Sequence, residues 1–179
     1  MFFKKKNNQV NLIYQNIVEI SRSKFFYLDL KLSDDFETRF DLIIFHAFII
    51  FFYYKSLNDK KSSISQELFD LMFSDFENNL REMGFGDITV NKKMKIFIRA
   101  FYGRIAQYSK SIEIYKAKGD KLLLQQSILN NIYKGDNKSA KFINYFIVYM
   151  TENIDHFIKN DEQENLKTYF HFINIKYEK

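Results

Sequence analysis

The densest run of cations in the chain, Lys92, Lys93, Lys95, Arg99 and Arg104, follows directly on a turn with two glycines, Gly84 and Gly86. Cations after such a turn could hold phosphate, because the free amides at a helix start point outward and favour an anion. Here a helical pattern precedes the turn instead of a strand, the GK[ST] ending is missing, and Asp87 would repel a phosphate. A nucleotide site is therefore not expected. Arg81, Glu82 and Asp87 lie just across the turn. The cluster reads either as a solvated helix face or as a docking surface for an acidic or phosphate-rich partner, RNA included. Phe97 and Tyr102 would then be its exposed aromatic anchors.

Other chemistry has no visible carrier. The three histidines, His46, His156 and His171, stand far apart, and none sits in HExxH or another metal-ligand spacing. His46 lies inside an apolar run, where a core histidine bonded to backbone or a carboxylate is the expected reading. No GxSxG occurs, and no two carboxylates have environments that the sequence sets apart. With no cysteine, disulfides, thiolate metal sites and cysteine nucleophiles are excluded. The expectation is a protein without catalytic residues, metal or cofactor. The net charge of +5 comes from 27 cations against 22 anions, a mixed surface with a weak bias toward acidic surfaces, anionic membranes or RNA.

The elements that must position these residues are helical. Proline is absent and only five glycines occur, so helices can run long and their ends should show. At 179 residues the chain is one domain, able to bury roughly 70% of its unfolded surface. We expect an all-α fold, a single compact domain of about six to eight helices over residues 11–179, after a flexible basic start at 1–10. The start MFFKKKNNQVNL has cations, but Asn and Gln follow where a signal sequence needs an apolar core, so a cytoplasmic protein is expected. The longest apolar run, Leu42 to Tyr54, is about a dozen residues against the about 20 of a membrane span, which predicts a buried helix.

Leu12, Ile13, Ile17 and Ile20 give a first helix, and residues 21–32 read as a connection. Ser33 or Asp34 can cap a second helix centred on His46. Ser63 and Gln66 have capping-box spacing before a third, whose apolar stripe is Ile64, Leu68, Met72, Phe76 and Leu80. Gly84 should stop it in the left-handed conformation after Met83, with Phe85 folding back on Leu80. Asp87 or Thr89 can cap the fourth helix, which buries Met94, Ile98, Phe101, Ile105 and Tyr108 and turns Lys92, Lys95 and Arg99 elsewhere. A kink is expected at 109–111 and a stop at Gly119. Asp120 can cap a helix reaching Gly135, and further helices should cover about 139–159 and 161–177. Gly103, inside the fourth helix, forfeits about 1 kcal/mol relative to Ala. Ala100, Gly103 and Ala106 form a small-residue ridge, for which close internal helix packing is expected ahead of a partner groove.

FDLMFSDFENNLREMGFGDITVNKKMKIFIRAFYGR, ending at Arg104, resembles the signature of the ubiquinol-cytochrome c chaperone family. RFDLIIFHAFII from Arg39 and IYQNIVEISRSKFFY near the start resemble two further family blocks, so the likeness runs from about Tyr14 to Tyr108. The resemblance implies a non-enzymatic, all-α assembly factor that binds newly made cytochrome b during biogenesis of the ubiquinol-cytochrome c reductase complex. It brings in the ribosome, a small helical partner and the cytoplasmic face of the inner membrane as further candidate contacts; DNA is not expected. It carries over Arg81, Glu82, Met83, Gly84, Gly86, Asp87, Lys92, Lys93, Phe101, Tyr102, Gly103 and Arg104, with Arg39, Asp41 and His46 from the second block. The glycines would set the helix angle so that Arg81, Lys92 and Arg104 face a client loop or lipid headgroups. A Lys92→Glu, Lys93→Glu pair would then weaken client association. Two other readings keep the same fold: a carrier with an apolar pocket for a quinone, fatty acid or haem, and an RNA or ribosome binder whose association falls steeply with salt.

Overall fold

With no proline in the chain, no ring interrupts a helix interior, and apolar residues at helical spacing fold most of it into long helices. The computed structural model describes residues 2–57, 62–136, 140–161 and 171–173. Among these residues the order is α1 (Phe2–Ser21), α2 (Lys24–Leu28), α3 (Phe36–Ser56), α4 (Ser62–Glu82), α5 (Asp87–Lys118), α6 (Leu122–Ile132) and α7 (Ala140–Asp161). The fold is all-α and forms a single compact domain around one core.

α3 is the axis of that core. Every residue from Phe40 to Ile50 is buried, and α1, α4, α5, α6 and α7 all pack against it. A helix apolar on all sides needs such cover, which is why the run around His46 is a core element and not a membrane span. No helix among the described residues is long and apolar enough to cross a membrane. Aromatic rings fill the interior edge to face: Phe45 meets Tyr108 at 5.9 Å and Phe146 at 5.3 Å between centroids. Tyr14 of α1 donates its hydroxyl to Asp75 of α4 at 2.6 Å, joining the two helices across the outside of the core.

Several boundaries differ from the sequence reading for identifiable reasons. α1 starts at Phe2, so the backbone of residues 2–10 is helical, and Val10 is buried. The connection at 21–32 contains the five-residue α2, which forms because Phe26, with Leu30 and Leu32 after it, reaches the core. Neither Ser33 nor Asp34 caps α3. Asp35 does, its carboxylate accepting the Thr38 amide at 2.8 Å and the Ser33 hydroxyl at 2.6 Å. These bonds, that from Ser33 first, hold the Asp35 carboxyl below its ordinary range. Ser63 lies inside α4, which already begins at Ser62, and Gln66 Nε2 donates forward to Asp70 at 2.8 Å. α5 continues unbroken through 109–111, where the Ser111 hydroxyl donates to the Gln107 carbonyl at 2.7 Å. It ends at Gly119 with φ 71°, as expected for a left-handed stop. The Asp120 carboxylate accepts the first amide of α6, that of Leu122, at 2.9 Å.

Most of the helix expected at 161–177 lies outside the described residues. His171, Phe172 and Ile173 are not helical. Buried Asn153 of α7 fixes them, its Oδ1 accepting the Ile173 amide at 2.8 Å, and Phe172 packs 5.0 Å from His46 and 5.4 Å from Phe157. A non-helical segment suits this contact because it frees the main chain to bond a side chain of another element.

Candidate functional site: the α4–α5 turn and the outer face of α5

The glycine turn is a Schellman stop. Gly84 adopts φ 85°, its amide donates to the Arg81 carbonyl at 2.9 Å, and the Phe85 amide donates to Leu80 at 3.2 Å. Phe85 thus folds back on Leu80 through the main chain. Gly86, not Asp87 or Thr89, is the N-cap of α5, and its carbonyl accepts the Thr89 and Val90 amides. Asp87 is drawn away by Arg81, whose guanidinium holds both Asp87 and Glu77, the latter at 2.7 Å. Arg81 and Asp87 therefore clasp the turn, with both side chains still exposed. Glu82 points to solvent beside them.

α5 inserts Val90, Phe101, Tyr108 and Ile112 into the domain, with Met94, Ile98 and Ile105 half-buried beside them. Its opposite face presents Lys92, Lys95, Arg99, Tyr102, Gly103 and Ala106 to solvent. Lys93 is half-buried, its ammonium 4.9 Å from the Phe85 ring centre. Of the small-residue ridge, Ala100 is half-buried against the core, but Gly103 and Ala106 are exposed, and a Cβ built on Gly103 would meet nothing within 4 Å. That overturns the expected close approach of another helix of this domain, and leaves an open, shallow strip on the surface. Phe97 is not an exposed anchor either, since it is half-buried, stacks on Phe36 at 5.6 Å and lies tilted against Phe40 at 4.7 Å. Tyr102, 58% exposed, and Ile96, 61% exposed, take that place.

Arg104 departs from its expected role as a surface contact. Its Nη2 stands 2.6 Å from Oδ1 of buried Asp41, an ion pair without hydrogen-bond geometry, and its guanidinium lies over Phe40 at 5.7 Å. Lys134 approaches the other Asp41 oxygen, so three charges tie α3, α5 and the end of α6 together. Burial lowers the proton affinity of both cations, Arg104 and Lys134. Lys134 was invisible as a partner because it lies 93 residues from Asp41, and only its place before Gly135 marks a turn.

The second family block is divided: Asp41 and His46 face inward, whereas Arg39 is exposed. Arg39 at the start of α3 pairs with Asp34 just before it at 2.7 Å, both exposed. His46 is buried between α1, α3 and α7: the Leu42 carbonyl 2.7 Å away can only accept, which puts the proton on Nδ1. Nε2 then accepts from the Tyr149 hydroxyl at 3.2 Å, and Ser21 Oγ lies 3.0 Å from Nδ1. Burial pushes the His46 pKa down to about 4, so the ring is neutral near pH 7. Among the described residues no group of three or more histidines and carboxylates could hold a metal ion.

Among the described residues, clefts accompany these features, and one of them, lined by Arg22, Phe36, Asp75 and Asn79, takes in Arg39. Two more lie on the surface. One, between α1 and α4, is lined by Tyr14, Val18, Arg22 and Asp75; the other, between α5 and α6, by Gln107, Lys110, Leu123, Gln126 and Asn130. Both open to solvent, and the core rings beneath pack on one another.

The sequence pattern of the family described as ubiquinol-cytochrome C chaperone matches residues 28–172. Comparison with curated proteins gives no match. Among solved structures the chain is similar to the crystal structure of the Cbp3 homolog from Brucella abortus, with 26% identity and a TM-score of 0.79. That likeness covers 96% of this chain and 93% of the other, so the whole helical architecture is shared. The turn and helix described above fall inside the matched residues, and the chain belongs to the ubiquinol-cytochrome C chaperone family.

Proposed function

We propose that the chain is a non-enzymatic escort for newly made cytochrome b during assembly of the ubiquinol-cytochrome c reductase complex, and that the outer face of α5 receives the client. Membership of a chaperone family supports the general role. The observation that carries the choice of surface is Gly103, a helix-interior glycine that no neighbour requires. Its cost of about 1 kcal/mol has no return inside the domain, whereas an external backbone could lie close along Gly103 and Ala106. Ile96 and Tyr102 flank this strip with apolar surface, and Lys95 and Arg99 offer charge to an acidic client segment. The working place is the cytoplasmic side of the inner membrane, where a ribosome or a small helical partner could be engaged by other faces.

The test is capture of the tagged chain from its own cells in mild detergent, with cytochrome b read by mass spectrometry and haem spectrum. Cytochrome b should be enriched, and a Lys95→Glu, Arg99→Glu pair should lower that enrichment by about tenfold or more while circular dichroism stays unchanged. Capture of ribosomal proteins or a small apolar molecule in place of cytochrome b would overturn the reading.

A further inference from the structure

The hairpin of α4 and α5 carries two rows of opposite charge on one surface. On α4, Gln66, Asp70, Ser74, Glu77 and Arg81 follow at steps of three and four, each exposed or half-buried. The charged residues of this helix are Glu67, Asp70, Asp75, Glu77 and Glu82, with Arg81 its one cation. On α5, Lys92, Lys95, Arg99 and Tyr102 follow at the same steps, all exposed, and up to Ala106 the one carboxylate is Asp87.

The two rows border one seam. Tyr102 packs on Phe69 with ring centres 5.8 Å apart, and Arg81 reaches Asp87 across the turn. Counted along the hairpin from these contacts, Asp70 stands level with Arg99 and Ser74 with Lys95, on helices that run in opposite directions. Yet the rows do not neutralise each other. Asp70 accepts the Gln66 amide at 2.8 Å and Glu77 pairs with Arg81 at 2.7 Å, both within α4. Among the described residues, Lys92, Lys95 and Arg99 have no ion pair in the chain.

We propose that the chain pairs with a second copy of itself through the α4–α5 faces, the acidic row of each meeting the basic row of the other. A two-fold axis along the seam turns α4 of one copy onto α5 of the other and keeps every level, so Asp70 meets Arg99 twice. Facing helices then run antiparallel, as in a four-helix bundle, with Phe69 and Tyr102 of both copies at the centre. An acidic client segment engages only the α5 row. The α4 row is matched by a partner that brings cations at the same levels, as a second copy does. The strip is about 30 Å long, the rise of the 21 residues of α4, and about 20 Å across two helices. It offers about 600 Å² per copy, at the low end for a specific interface, which makes the dimer reversible. The pairing rests on the hairpin alone. Its consequence rests on the reading above: a paired chain withholds Lys95 and Arg99, so a client must displace the second copy.

Sedimentation velocity of the purified full chain, without client, tests it. The native chain should pass from monomer to dimer between about 1 and about 100 µM. A Lys95→Glu, Arg99→Glu pair should weaken the dimer by about tenfold or more, and so should Asp70→Lys, Ser74→Lys, which leaves the Arg81 clasp intact. Mixing the two reversed chains in equal amounts should restore the dimer, because each then meets opposite charge on both helices. Where a double variant loses helical circular dichroism, Arg99→Glu and Asp70→Lys alone replace the pairs. A native chain monomeric throughout this range, a dimer that either reversal leaves unchanged, or reversed chains that stay monomeric when mixed would overturn the proposal. Each of these leaves cytochrome b capture, measured separately, standing.

Discussion

Asp41 and His46 show how far single residues could be understood before their neighbours were known. Both stand in a family block, but their partners Lys134 and Tyr149 lie 93 and 103 residues away, beyond any periodicity. Asp41 is buried between two cations, so its removal strands charge, whereas Lys134 at 46% exposure can return to water. Asp41→Ala should therefore cost about 3 kcal/mol and Lys134→Ala about 1 kcal/mol or less in urea unfolding. His46 gives a pH dependence of definite sign. Its folded pKa, about 4, lies below its ordinary 6.5, so the unfolded chain binds the extra proton as pH falls. The stability it supplies is complete above about pH 6.5 and is lost progressively toward pH 4, on the order of 3 kcal/mol in all. Urea midpoints across that window should fall for the native chain and fall less steeply for His46→Phe. Equal slopes would show that other groups control the acid limb.

Among the elements, α4 and α5 were legible because their signals are local. The stripe Ile64 to Leu80 and the glycine at 84 state a helix and its stop within one stretch of chain. What local pattern could not state is which polar residue wins a competition. Asp87 looks like a cap until Arg81, one turn back across the hairpin, takes its carboxylate. Asp35 caps α3 because Asp34 is occupied by Arg39. The inward and outward faces of α5 could be read from spacing, but the use of Gly103 could not, since a small-residue ridge looks the same whether it meets its own domain or a partner. The open space at Gly103 gives a direct prediction. Gly103→Ala should raise stability by about 1 kcal/mol, read as a higher urea midpoint, because it adds helix propensity without a clash. Destabilisation would mean that the face is covered after all.

At the scale of the whole molecule, the absence of proline and the 3.6-residue apolar period were enough for an all-α domain around a buried α3. The contact of His171 to Ile173 with Asn153 and His46 was not legible, because a short non-helical segment packed on helices has no repeating signature. The proposed division of labour sets this core apart from the outer α5 face, the surface proposed for a client. Gly103→Leu separates the two most directly, since leucine strengthens the helix yet fills the shallow strip. The decisive measurement is cytochrome b capture by native and Gly103→Leu chains, with thermal melts of both in parallel. An equal or higher melting temperature is expected, with capture lowered by about tenfold or more. Undiminished capture by a folded Gly103→Leu chain would contradict it.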